Sequence, residues 1–98
     1  MSGIEAIAAE RQRQMDVEGW TPEHDDTHAD GQMAQAAACY ALWDCGAPYE
    51  WRSTVQRELF PWDDGWWKPK SKRENLVRAG ALIAAEIDRL DRAEKQST

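Results

Sequence analysis

Apolar positions recur along this chain at helical spacing, in three blocks separated by one polar and one irregular connection. In residues 3–18, Ile4, Ile7, Ala8 and Met15 share a face opposite Glu5, Arg11, Arg13 and Asp16. Ser2 and Glu5 stand at capping-box spacing before that block, and Gly19 provides a helix end where φ > 0 is easily met. Residues 29–45 carry Met33, Ala36, Ala37, Tyr40 and Ala41 as a second stripe, capped by Asp26 or Thr27 and stopped by Gly46-Ala47-Pro48. Residues 72–94 form the strongest helix. Ser71 and Glu74 repeat the capping-box spacing, and Glu74/Arg78 and Asp88/Arg92 are i,i+4 pairs on the wet side. Leu76, Gly80, Ile83, Ile87 and Leu90 make a heptad-like seam with Gly80 as a point of close contact.

The connections are less regular. Trp20 to His28 is rich in turn-favouring residues, with Thr21-Pro22 reading as N-cap and N1 of a short turn. Within residues 47–70, Tyr49, Trp51, Val55, Leu59 and Phe60 support one short helix. Pro61 to Pro69 is irregular, because two prolines and an Asp-Gly turn signal interrupt it. The pattern predicts one all-α domain over residues 1–98: three to four helices, a Trp-rich irregular connection before the last, and a frayed tail at 95–98. The small-residue faces and the last helix's seam also predict a homo-oligomer, the alternative being burial of that seam inside the monomer.

Composition adds constraints. A chain of 98 residues hides about 65% of its unfolded surface, enough for one modest core. The net charge of −6 disfavours duplex nucleic acid and anionic membranes as partners. Yet residues 68–73 hold four of the twelve basic residues and no acid, against eight basic and eighteen acidic residues elsewhere. That segment suits a small phosphorylated ligand. No apolar run approaches the ~20 residues of a membrane span, and no signal peptide is evident, so a cytoplasmic protein is expected. Cys39 and Cys45 then read as buried free thiols.

Six tryptophans are more than so small a core requires. Trp62, Trp66 and Trp67 adjoin Lys68, Lys70, Lys72 and Arg73, which sets flat stacking surfaces beside cations and the free N–H groups of a helix N-terminus. That combination is what a nucleotide ligand requires; the alternative is that the indoles plug helix ends and the lysines are solvated. The second cluster is His24, Asp25, Asp26 and His28. It reads as capping, as ligand contact with Trp20 nearby, or as a metal site if another carboxylate such as Glu86 joins it. No catalytic residue, metal ligand or cofactor is assigned, since no nucleophile motif or phosphate-binding glycine loop occurs.

Five segments carry a resemblance: Glu18-Gly19-Trp20-Thr21-Pro22-Glu23-His24-Asp25-Asp26, Ala36-Ala37-Ala38-Cys39-Tyr40-Ala41, Pro61-Trp62, Trp66-Trp67-Lys68-Pro69, and Asn75 to Ile83 running on to Arg92. On these the chain resembles a family of small uncharacterised proteins of tailed phages and prophages. That likeness implies an accessory protein acting in the host-cell cytoplasm, a class that often counters host defence. Glu18-Gly19-Trp20-Thr21 followed by Asp25, Asp26 and His28 is also similar to the start of ryanodine-receptor-type repeat domains, which implies contact with nucleotide-derived signals. MazG-like nucleotide pyrophosphohydrolases are a further likeness, but their Glu-x-x-Glu motif does not occur in this chain, and Asp88-x-x-Asp91 departs from it. The expected function is sequestration of a nucleotide-derived signalling molecule, of cyclic nucleotide or ADP-ribose type. The alternatives are a metal-dependent nucleotide hydrolase and a protein–protein inhibitor of a host factor.

Overall fold

Helix-forming periodicity produces helices at each place it occurs. The computed structural model describes residues 1–97 as α1 (Gly3–Asp16), α2 (Pro22–Asp25), α3 (Gln32–Trp43), α4 (Tyr49–Leu59) and α5 (Lys72–Gln96), with one 3₁₀ turn at Asp64–Trp66 and no strand among the described residues. The protein is all-α. α5 is the spine: it packs along α3 most extensively, then along α1, while α4 leans on α3 alone. No helix of the described residues is long and apolar enough to cross a membrane.

The helix ends follow local chemistry. Ser2 and Glu5 form a full capping box, with both reciprocal bonds at 2.9 and 3.1 Å. At α5 the box is half formed. Ser71 Oγ accepts from the Glu74 N–H, but its hydroxyl donates to Glu74 Oε1 and the Glu74 side chain does not reach back to the cap's backbone. α3 starts three residues later than its expected limit, behind Gly31 at φ 85° with no side-chain cap. The expected caps are committed elsewhere: Thr27 Oγ1 donates to the His24 carbonyl at 2.7 Å, and Asp26 pairs with Arg92 at 2.8 Å. α5 runs on through Gln96 with Ser97 as its C-cap, so Lys95 and Gln96 are helical; the rest of the expected tail, Thr98, lies outside the described residues.

The core is built from small residues and three larger side chains. Ala36, Ala37, Ala79 and Ala85 let α3 and α5 approach closely around Met33, Tyr40 and Leu82, with Trp20, Phe60, Trp62 and Trp67 packed against that cluster. Two faces differ from expectation. On α1 the buried positions are Ala6 and Gln14, while Ile4 is 83% exposed and Ile7 lies over Gly80. On α5 the core is reached through Asn75, Ala79, Ala81, Leu82 and Ala85. The seam residues Leu76, Ile83, Ile87 and Leu90 stay 48–52% exposed. The reason is steric: alanines and Gly80 permit closer helix approach than the seam's branched side chains. The expected i,i+4 partners diverge too, with Arg78 turned to Tyr40 and Lys68 and Arg92 to Asp26. Cys39 is buried as expected, Cys45 is exposed, and both are free.

Candidate functional site

Two connections far apart in the chain bring aromatic and imidazole rings to one pocket, and α3 and α5 supply its floor. Gly19, at φ 74°, turns the chain out of α1, and the Trp20 N–H reaches back to the Gln14 carbonyl at 3.0 Å, a helix-end bond that aims the Trp20 ring at the core. Thr21 caps α2 with Pro22 at N1, and that single turn places His24 and Asp25. His28 follows, its ring 5.0 Å from His24 and 5.3 Å from Trp62. Trp62 also stands 6.3 Å from Trp20 and edge-on to Phe60 at 5.8 Å. With Trp66 as a further wall and Met33 and Leu82 as the apolar floor, these residues enclose a cavity of about 190 Å³.

The connection that supplies Trp62 and Trp66 is held down from below. The Tyr40 hydroxyl donates to the Trp66 carbonyl at 3.3 Å and accepts from the Lys68 N–H at 3.2 Å and from Arg78 at 3.3 Å. That uses one donor and both lone pairs, the full capacity of a phenol. Arg78 also donates to the Lys68 carbonyl at 3.0 Å. Buried Asn75 closes the segment, accepting from the Lys70 N–H at 2.7 Å and donating to the Lys70 carbonyl at 3.2 Å.

Charge in the pocket is sparse and controlled. Asp25 is 2% exposed, pairs with Arg11, and lies 3.9 Å from His24 Nδ1. Burial pushes its carboxyl above the ordinary 3.8, with the Arg11 guanidinium opposing. Burial likewise lowers His28 below 6.5, helped by His24 and opposed by Asp25. The shift favours the neutral ring, which has one donor and one acceptor nitrogen. Arg11 also donates at 3.0 Å to the Trp20 carbonyl, so one guanidinium ties together two residues that line the pocket.

Of the residues singled out by sequence, Trp20, His24, Asp25, His28, Trp62 and Trp66 line this cavity together. The other six do not line it. Trp67 faces the core, tilted against Tyr40 at 4.7 Å and edge-on to Phe60 at 5.2 Å. Asp26 is held by Arg92 beside the pocket. Lys68 stays close, its ammonium 5.9 Å above the Trp66 ring. Lys70 and Lys72 are exposed, and Arg73 reaches the Met1 carbonyl. Sequence reasoning missed Arg11, Tyr40 and Arg78 as organisers and Leu82 as floor; their partners lie 9 to 38 residues away, beyond any local pattern.

The pocket offers stacking faces, an amphoteric imidazole and a buried carboxylate, without an activated nucleophile. Burial pushes the Cys39 thiol up to about 11. Among the described residues no three His, Cys, Asp or Glu side chains are grouped to hold a metal ion, so His24, Asp25, His28 and Glu86 do not fit that use. Comparison with family models, with curated proteins and with solved structures finds no match to this chain.

Proposed function

We propose that the protein binds and sequesters a nucleotide-derived signalling molecule, of cyclic nucleotide or ADP-ribose type, and that its pocket takes the base. One observation carries this reading: three indoles and two imidazoles, from two connections far apart in the chain, meet at a single cavity with an apolar floor. The volume limits what enters. About 190 Å³ is below the ~300–1,000 Å³ of ordinary small-molecule sites, so one ring system is enclosed and the sugar and phosphates lie outside. Lys68 beside Trp66 is the cation best placed for them. His28, neutral and half-buried, reads a base edge through one donor and one acceptor. The likeness to phage proteins supplies the biological role, withdrawal of a host antiviral signal in the host cytoplasm. A metal-dependent hydrolase has no grouped ligand set in its favour.

The test is titration of nucleotides, cyclic nucleotides and ADP-ribose derivatives, followed by tryptophan fluorescence and calorimetry. Trp62→Ala is expected to weaken the complex roughly 5- to 150-fold, the ~1–3 kcal/mol of one lost base–indole stack. The ligand is expected to be recovered intact from denatured protein. Recovery of a cleaved product moves the reading to pyrophosphohydrolase chemistry. If no member of the panel binds, or folded Trp62→Ala binds as well as the parent, the pocket reading fails and a protein–protein inhibitor takes its place.

A further inference from the structure

The outer face of α5 is a second unassigned feature, independent of what the pocket binds. Lys72, Leu76, Ile83, Ile87, Leu90 and Glu94 fall on one side of the helix at 3.6 residues per turn. The four aliphatics are each about half exposed, although α1, α2 and α3 pack on the other sides of α5. Ile4 lies one turn before Ile7 on α1, beside the point where Ile7 covers Gly80, and is itself 83% exposed. Exposed aliphatics in such number on one helix face are the kind of patch that marks an interaction site.

Apart from Ile87, whose counterpart position is the buried Ala79, the arrangement is symmetric about Ile83. Leu76 and Leu90 each stand seven residues from it, and Lys72 and Glu94 each stand eleven. Both charged side chains are exposed, basic at the helix start and acidic at its end. Arg73 and Asp91 repeat that polarity on one flank.

We infer that this face pairs with α5 of a second copy of the chain, antiparallel, about a two-fold axis passing at Ile83. In that register Ile83 meets its own counterpart, Leu76 meets Leu90, and Lys72 meets Glu94, with each contact made twice as an isologous interface requires. The charges decide the direction. A parallel pairing sets Lys72 against Lys72 and Glu94 against Glu94, which repel, and it also aligns the two helix dipoles. The occupant is a copy of this chain because its own sequence supplies both halves of the complementarity.

Sedimentation velocity and light scattering on the full chain are expected to show a dimer. Ile83→Glu is expected to give a monomer whose helical circular dichroism is unchanged. Lys72→Glu and Glu94→Lys are each expected to weaken the dimer roughly tenfold, and the double swap to restore it. In a Cys45→Ser background, Ile83→Cys is expected to cross-link on mild oxidation, because residue 83 faces itself across the axis. A monomer at millimolar concentration overturns the inference. So does a dimer that survives Ile83→Glu, or one in which Ile83→Cys fails to cross-link, since either places the contact on another face.

Discussion

Burial acts on the pocket's titratable groups in opposite directions, lifting the Asp25 carboxyl and depressing the His28 imidazole, so both are biased toward their neutral forms. For His28 this has a consequence for stability. Well above pH 6.5 the ring is neutral in both folded and unfolded chains and contributes no pH dependence. As pH falls below 6.5 the unfolded chain takes up the proton first, and stability is lost until the depressed folded value is passed. Urea midpoints measured between neutral and acidic pH are expected to fall across that window, and His28→Gln to flatten the fall. An unchanged slope in His28→Gln assigns the loss to other groups. In the sequence His24 and His28 were visible as a pair, but nothing local revealed that a Trp62 ring 5.3 Å from His28 strips its solvent.

At the scale of elements, Gly80 marks a tight contact where α1 crosses α5. A Cβ built on Gly80 falls 2.5 Å from Ile7 Cδ1 and 2.8 Å from Ile7 Cγ1, so the isoleucine must move if any larger residue stands there. Overpacking of this kind costs about 1–3 kcal/mol, while replacing a mid-helix glycine with alanine returns about 1 kcal/mol of helix propensity. Gly80→Ala is therefore expected to lower stability by about 1 kcal/mol in denaturant melts. The loss is expected to vanish or reverse when Ile7 is also replaced by alanine. A penalty that persists in the Ile7→Ala background means that something other than this contact opposes the new methyl. Gly80 was legible as a close-approach point in the heptad-like spacing. The face it belongs to was not, because the same spacing describes a seam buried in the monomer and one left outside it. Alanine decides between them: Ala79, Ala81 and Ala85 carry little weight in a hydrophobic pattern, yet they bring α5 nearest to its neighbours. α1 was misread for the same reason, its buried side being marked by Ala6 and by a fully covered Gln14 rather than by Ile4.

For the whole molecule, the pocket depends on whether the irregular segment between α4 and α5 is docked as a unit. Its tryptophans divide by place: Trp66 lines the cavity, Trp67 packs on the core, and Trp62 does both, a division that residue type cannot announce because all three are indoles within six positions. The docking is carried by Tyr40, which does not line the pocket yet bonds Trp66, Lys68 and Arg78 at once. Tyr40→Phe keeps the ring against Trp67 and Phe60 and removes only the hydroxyl. It leaves the Lys68 N–H and the Trp66 carbonyl without that partner, at about 1–3 kcal/mol if they stay dry. The variant is expected to melt lower and to be nicked faster by protease between Pro61 and Lys70, a segment then less tightly held to α3 and α5. Ligand affinity is expected to fall as well, although the substituted side chain never touches the ligand. If stability drops while proteolysis of that segment and ligand affinity both stay unchanged, the hydroxyl serves the core alone, and the indoles are held in the pocket by Asn75 and by their own ring contacts.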